Sequence, residues 1–188
     1  MSVVMKKKKK NWLTVSRILL IPRFVVVCYL PWRGAEGAAA VIFVVAAITD
    51  WLDGYLARRW GQTSRFGAFL DPVADKLIVA VALIVVLQRD ARALMVLPVV
   101  IIISREITVS ALREWMAEIG ERGKVAVSGL GKLKTTVQMV ALVLLIGFQR
   151  NNPLYTLGVA GLYAAALLTV WSMASYLRAA WPSLKANA

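Results

Sequence analysis

The stretch from Asp50 to Asp75 reads DWLDGYLARRWGQTSRFGAFLDPVAD and holds four aspartates. Asp50 and Asp53 lie near the end of one apolar run, and Asp71 and Asp75 begin the next. On an α-helix, residues three or four positions apart lie on the same face. The stretch therefore predicts two successive helices, each with a pair of carboxylates on one face.

Four carboxylates on two adjacent helices in an apolar setting require cations among them. Because the chain has no histidine, oxygen ligands are indicated, which favour Mg²⁺, Mn²⁺ or Ca²⁺. Four acids can bridge two such ions about 4 Å apart, as in phosphoryl transfer. Gly54 and Ala57 add no bulk on the stripe of Asp50, which suggests room for a ligand such as a nucleotide. Any single acidic pair is also compatible with ordinary helix-end charges.

The composition indicates a membrane protein. The 188 residues are 60% hydrophobic with a formal net charge of +13, and the mean hydropathy is +0.68. These values exclude a disordered chain, and the single cysteine, Cys28, excludes an internal disulfide. The absence of histidine excludes mechanisms with an imidazole base. A basic charge on such an apolar chain is better explained by membrane topology than by nucleic-acid binding. No nucleic-acid partner is therefore expected.

The apolar runs predict an all-α, polytopic membrane protein with six transmembrane helices. A basic segment, residues 1–11, precedes a transmembrane domain over residues 12–188. The segment contains the run Lys6–Lys10, which we interpret as an anchor to anionic lipid headgroups or as a solvated tail. The predicted spans are 12–31, 38–57, 71–87, 93–112, 133–148 and 154–177.

The distribution of basic residues predicts the orientation of these helices. With the N-terminus inside, 15 of the 23 Lys and Arg residues fall in cytoplasmic segments and four fall on the opposite side. This asymmetry predicts that both termini are cytoplasmic. The four aspartates, Arg105 and the early residues Thr14 and Arg17 then converge on the cytoplasmic third of the helices. Ionisable residues inside spans are costly, so this convergence indicates a functional site.

The stretch that holds the four aspartates resembles the motif of a known family. The spacing D-x2-D-G-x2-A-R-x8-G-x3-D-x3-D over residues 50–75 is that of the CDP-alcohol phosphatidyltransferases, without a departure. The six-helix core of the family corresponds to the six predicted spans, so the resemblance covers the whole chain. It implies a metal-dependent enzyme that transfers a phosphatidyl group from CDP-diacylglycerol to an alcohol and releases CMP.

The resemblance also implies residue roles. Two divalent cations, Mg²⁺ or Mn²⁺, would be held by the four aspartates, and the fourth of these, Asp75, is the candidate general base. The donor substrate, CDP-diacylglycerol, would be bound by Gly54, Ala57, Arg58 and Gly67. An integral inner (cell) membrane protein of bacterial type is implied, with its active site facing the cytoplasm, and also a homodimer.

The flanking segments resemble one branch of the family, whose acceptor is sn-glycerol 3-phosphate. They are Asn11–Arg17, Ser104–Ile107, Ala111–Glu114 and Gly131–Thr135. Candidate residues for binding the acceptor phosphate are Arg105, Arg113, Lys132, Lys134, Thr14 and Arg17. Two other interpretations remain open here: Lys132 and Lys134 are equally compatible with topology determinants, and Arg105 with an internal ion pair to Glu106.

Three alternative functions follow from the same features. Synthases of phosphatidylinositol phosphate, cardiolipin or phosphatidylserine share the aspartate motif. A cation transporter would also carry acids inside its helices, but here the acids stop at the cytoplasmic third. A membrane scaffold without catalytic activity is the third alternative.

Overall fold

The computed structural model describes residues 19–60, 65–125 and 129–186, and within these ranges it is helical with no β-strand. The chain divides into two compact units. The first comprises Met1–Val86 with Ile146–Gln149, and the second comprises Leu87–Leu145 with Arg150–Ala188. The all-α prediction is therefore confirmed for the described part of the chain.

The first unit holds the helices of the aspartate motif. Its described helices are α1, with helical residues Leu19–Cys28, α2, Ala35–Trp60, and most of α3, Arg65–Arg89. Phe24 of α1 and Phe43 of α2 are fully buried, and their ring centroids lie 6.0 Å apart. Aromatic contact and apolar burial thus hold the first two helices together.

The second unit is built on α4, Ala93–Glu118, a 3₁₀ helix, Arg122–Val125, α5, Gly129–Gly147, and α6, Pro153–Ala186. Helices α4 and α6 pack on each other and both contact the 3₁₀ helix. Their shared apolar cluster comprises Val109, Met116, Val125, Tyr176 and Ala180. This cluster fixes α4 against α6 near the C-terminal ends of both helices.

Two glycines allow α5 and α6 to approach closely. A Cβ atom at Gly158 would lie 3.0 Å from side-chain atoms of Leu144 and Leu145, and one at Gly161 would lie 3.2 Å from the Cβ of Ala141. Small residues permit such close approach of helices. The pair Gly158 and Gly161 therefore packs within the chain.

Each of the six predicted spans overlaps a helix of the described residues, although the first is described as helical only over Leu19–Cys28, and several helices extend beyond the predicted bounds. Helix α4 continues six residues past 112, and α6 continues to Ala186. Among the described residues, two helices, Ala93–Glu118 and Pro153–Lys185, are long and apolar enough to cross a membrane, whereas Leu19–Cys28 and Ala35–Thr49 are shorter apolar helical stretches. The 34 residues of α6 correspond to about 51 Å at 1.5 Å per residue, which exceeds the ~30 Å hydrocarbon core.

The buried carboxylate of Asp90 links the connection before α4 to the connection between α5 and α6. Asp90 is fully buried and accepts hydrogen bonds from Nε and Nη2 of Arg92, at 2.7 and 2.5 Å, and from the Tyr155 hydroxyl at 2.7 Å. Arg150 Nη2 lies 3.4 Å from Oδ1 of Asp90. The bond from Arg92, followed by that from Tyr155, lowers the pKa of Asp90 to about 2 despite burial.

A second ionic group ties the connection after α4 to α6. Glu121 accepts a hydrogen bond from Lys124 Nζ at 2.7 Å and another from the Ser183 hydroxyl. Lys124 Nζ also lies 3.1 Å from Ser183 Oγ. The Lys124 ammonium, with a smaller effect of Ser183, lowers the pKa of the Glu121 carboxyl.

We predict that Asp90→Asn destabilises the protein at pH 7 by about 2 kcal/mol, because the charged form of Asp90 is bound more tightly in the folded state. The melting temperature in detergent should fall by about 4–8 °C. Since the folded-state pKa is lowered, this contribution is complete above about pH 4 and is lost as the pH falls towards 2. The difference from wild type should shrink over that window.

The matched control is Arg150→Gln, since the Arg150 guanidinium is half exposed and its contact with Asp90 is long. Its melting temperature should fall by less than half as much as that of Asp90→Asn. Equal melting temperatures of wild type and Asp90→Asn at pH 7 would contradict the assignment.

Candidate functional site

The helical positions of the four aspartates agree with the prediction from the sequence. Asp50 and Asp53 lie in the second half of α2, and Asp71 and Asp75 lie in the first half of α3. Both helices are continuous through these positions. The side chains of the four aspartates and of Arg58 lie outside the described part of the structure. Gly54 and Ala57 belong to α2 and Gly67 to α3, whereas Thr14 and Arg17 lie outside the described residues.

The register of α2 relates its acids to the interior of the first unit. Ala39, Phe43 and Ala46 are at most 1% exposed and form one stripe of the helix. At 3.6 residues per turn, the same stripe continues through positions 50, 54 and 57. By helix register alone, positions 50, 54 and 57 fall in line with Ala39, Phe43 and Ala46.

The same argument applies to α3. Ile78 is 4% exposed and Ala82 is fully buried. Positions 71 and 75 precede them by seven residues each and lie on the same stripe. By register alone, positions 50, 71 and 75 fall in line with residues that are buried in α2 and α3. Ionised carboxylates in an apolar helix bundle need compensating cations.

This donor set fits hard divalent cations. Carboxylate oxygens alone are the ligands expected for Mg²⁺ or Mn²⁺, and pairs spaced i, i+3 and i, i+4 on two helices can converge on shared ions. Among the side chains that the structure describes, no group of three or more His, Cys, Asp or Glu could hold a metal ion. The aspartate motif thus remains the candidate metal centre.

A buried basic cluster occupies the second unit. Arg105 of α4 is 7% exposed, and its Nη2 donates to Ser172 Oγ of α6 at 3.1 Å. Its Nη1 donates to Oε1 of the neighbouring Glu106 at 3.1 Å. The same oxygen of Glu106 accepts a hydrogen bond from Lys134 Nζ of α5, which is 2% exposed. One carboxylate is therefore shared by two buried cations.

Tyr176 of α6 connects this cluster to a third cation. Arg113 Nη2 donates to the Tyr176 hydroxyl at 2.6 Å, and the guanidinium lies 4.9 Å from the ring centroid. The guanidinium of Arg105 lies 5.6 Å from the same ring. Cation–π attraction and the hydrogen bond thus hold both arginines at one aromatic side chain.

The basic cluster is defined here as Arg105, Glu106, Arg113, Lys134 and Tyr176. It holds three formal positive charges and one negative charge. The Nε atoms of Arg105 and Arg113 are buried and make no hydrogen bond within the described residues. Buried donors without partners are rare in folded proteins. Unpaired donors and excess positive charge make this cluster a candidate anion site.

The structure brings together three of the six residues expected to bind an acceptor phosphate. Arg105, Arg113 and Lys134 belong to the basic cluster. The ion pair between Arg105 and Glu106 is also present, so that alternative interpretation is confirmed, but Lys134 shares the carboxylate. Lys132 lies in the first turn of α5 and is exposed.

Sequence reasoning missed Tyr176 and Ser172. They lie in the apolar helix α6, 63 and 67 residues after their partners Arg113 and Arg105. Their spacing of four residues places them on one face of α6. This spacing is the only signal in the sequence, and it is common in apolar helices.

We predict that Glu106→Gln lowers the free energy of unfolding by about 3 kcal/mol, because it leaves buried cations without their counter-ion. In a Lys134→Met background the same substitution should cost at least about 1 kcal/mol less. Chemical denaturation of the four proteins in detergent measures this coupling. Glu118→Gln removes an exposed carboxylate of α4 and should change stability by less than about 0.5 kcal/mol. Additive costs for Glu106→Gln and Lys134→Met would refute the shared carboxylate.

Comparison with known proteins adds independent information. The protein-family model described as CDP-alcohol phosphatidyltransferase matches residues 10–171. A relative from Sodalis glossinidius is 56% identical over 170 residues, 90% of this chain and 93% of its own length. A relative from Haemophilus influenzae is 52% identical over 176 residues, 94% of this chain and 95% of its own length. Both carry the name CDP-diacylglycerol–glycerol-3-phosphate 3-phosphatidyltransferase.

A third relative, from Yersinia enterocolitica, carries the same name. It is 54% identical over 174 residues, 93% of this chain and 95% of its own length. These relatives match the chain over nearly their full length.

Proposed function

The chain belongs to the CDP-alcohol phosphatidyltransferase family, and we propose that it transfers a phosphatidyl group from CDP-diacylglycerol to the 1-hydroxyl of sn-glycerol 3-phosphate. The products are phosphatidylglycerophosphate and CMP, so the enzyme acts in phospholipid biosynthesis. Family membership confirms the resemblance seen in residues 50–75. The choice of substrates rests on one observation: relatives named for this reaction are 52–56% identical to this chain, and the match covers nearly their full length.

Four aspartates would hold two divalent cations, Mg²⁺ or Mn²⁺, in this proposal. They are Asp50, Asp53, Asp71 and Asp75. When bound, the cations would neutralise charge on the diphosphate and make CMP a better leaving group. The continuation of two buried helix stripes through these positions supports the assignment.

Asp75 would accept the proton of the acceptor hydroxyl as that oxygen attacks the phosphorus atom. A carboxylate is suited to this role in a chain without histidine. Gly54, Ala57 and Gly67 would leave space for the cytidine side of the donor. Arg58 would pair with a donor phosphate through charge-assisted hydrogen bonds.

The basic cluster would bind the phosphate of the acceptor. A glycerol phosphate carries two negative charges near neutral pH, and the cluster has two more positive than negative charges. The Nε atoms of Arg105 and Arg113 supply donors that the described residues leave unused. Lys132, which is exposed, would contribute less. Thr14 and Arg17 lie outside the described residues and stay predicted contributors to acceptor binding.

We further propose that the enzyme is an integral protein of a bacterial-type inner membrane with six spanning helices. Both termini and the active site would face the cytoplasm, and residues 1–11 would lie at anionic headgroups. The positive-inside distribution and two long apolar helices support this arrangement. A homodimer in the membrane is part of the same proposal.

We expect purified protein to release CMP from CDP-diacylglycerol only when sn-glycerol 3-phosphate is present, and EDTA should abolish the release. Added Mg²⁺ or Mn²⁺ should restore it, because no protein group replaces the cations. Inositol phosphate, phosphatidylglycerol and serine, offered as acceptors, should give at most background release. Rapid turnover with one of these and none with glycerol 3-phosphate would refute the acceptor.

The general base is tested by Asp75→Asn, which should lower kcat by at least about 100-fold while the protein still inserts and folds. Glu118→Gln, which removes an exposed carboxylate of α4, is the matched control and should keep the wild-type rate. An unchanged rate in Asp75→Asn would remove Asp75 from this role.

The acceptor site is tested by Arg105→Met, which should raise KM for glycerol 3-phosphate by about 10–100-fold through the loss of a buried, charge-assisted contact. Lys132→Met should raise the same KM by less than about threefold, since Lys132 is exposed. Initial rates at saturating CDP-diacylglycerol give both values. A larger effect of Lys132→Met than of Arg105→Met would contradict the assignment.

A further inference from the structure

One buried amide in the second unit has no role in the site described so far. Gln138 of α5 is 3% exposed, and its Oε1 accepts no hydrogen bond from any described residue. A buried polar atom without a partner is destabilising, by about 1–3 kcal/mol. Such an atom indicates a ligand or an ordered water that supplies the missing hydrogen bond.

The register of α5 relates Gln138 to the basic cluster. Gln138 follows Lys134 by four residues, so the two side chains begin on the same face of the helix, about 5–6 Å apart at Cβ. Both are buried, and their stripe continues through Ala141 and Leu145. The amide therefore lies one helical turn from the Lys134 ammonium that contacts Glu106.

The opposing helix carries a small residue at this level. Contacts of Gly158 with Leu144 and of Gly161 with Ala141 show that α5 and α6 run antiparallel. One turn from the Gly161 contact towards Lys134, the corresponding residue of α6 is Ala165, which is fully buried. An alanine at this position of the register adds no side-chain bulk beyond its Cβ atom.

The unused hydrogen-bonding atoms complement one class of ligand. The Nε atoms of Arg105 and Arg113 are unused donors, and Oε1 of Gln138 is an unused acceptor. A molecule with both anionic oxygens and a hydroxyl group carries the kind of partner that each of these atoms lacks. A phosphate monoester dianion by itself offers acceptors to the arginines but no donor to the amide, so the donor must come from a hydroxyl elsewhere in the ligand.

We propose that Gln138 is a specificity-determining residue whose amide oxygen accepts a hydrogen bond from the non-reacting hydroxyl of a phosphorylated polyol. This inference rests on the proposed function, in which the acceptor is sn-glycerol 3-phosphate. Its 1-hydroxyl reacts and its phosphate binds the arginines, so the 2-hydroxyl is the group that Gln138 recognises.

The test compares two acceptors that differ only in this hydroxyl. The first is sn-glycerol 3-phosphate, and the second is 3-hydroxypropyl phosphate, which keeps the phosphate and the reacting hydroxyl. The wild-type enzyme should use the first with about tenfold higher kcat/KM, as one neutral hydrogen bond supports. Gln138→Met should lose this preference by a fall in kcat/KM for glycerol 3-phosphate alone.

Ligand-dependent melting gives a readout that does not involve turnover. Saturating sn-glycerol 3-phosphate should raise the melting temperature of wild type more than that of Gln138→Met, whereas 3-hydroxypropyl phosphate should raise both equally. Thr169→Val is the matched control, because Thr169 is fully buried in α6 and its hydroxyl donates to the Ala165 carbonyl. It should keep the wild-type preference between the two acceptors.

Each outcome decides the inference. A preference that survives in Gln138→Met, or an equal loss for both acceptors, would overturn it, and Gln138→Leu takes the place of Gln138→Met if the latter does not fold. If wild-type protein releases no CMP with either acceptor, the proposed function itself fails. Activity with glycerol 3-phosphate and no dependence on residue 138 refutes only the present inference.

Discussion

A charge can remain inside an apolar helix bundle only if an opposite charge lies beside it. Both units of this chain are organised around that constraint. In the first unit, two acid pairs continue the buried stripes of α2 and α3, and we propose that metal ions compensate them. In the second unit, Arg105 and Lys134 share the carboxylate of Glu106 while Arg113 contacts Tyr176, and we propose that the acceptor phosphate supplies the missing negative charge. The substrates and cations then complete the electrostatic balance that the protein alone leaves open.

The sequence predicted the helices well because each is marked by an apolar run near membrane length. It predicted the helix ends less well. Helix α4 was expected to end at residue 112 but continues to Glu118, since Met116 is buried against Tyr176 and Ala180. Hydropathy alone records how apolar a segment is, and it does not record a partner that lies 60 residues later. The packing of α6 therefore decides where α4 ends.

The candidate site was predictable to different degrees for the same reason. The acidic motif lies within 26 residues, so helical spacing alone groups its members. Arg105, Arg113 and Lys134 were named because charged residues are conspicuous in apolar segments, and Arg105 with Glu106 was also recognised as an ion pair. Tyr176 and Gln138 carry no charge, and their importance depends on contacts between distant helices. Spacing within one helix cannot reveal such contacts.

The long-range contacts of α6 also have a consequence for biogenesis. During synthesis, α4 leaves the ribosome before α6, so Arg105 and Arg113 emerge more than 60 residues ahead of Ser172 and Tyr176. Until the last helix arrives, both guanidinium groups lack their hydrogen-bonding partners from α6. In the proposed membrane topology, α4 would therefore need a hydrated or protein-lined environment during insertion, until α6 arrives with these partners.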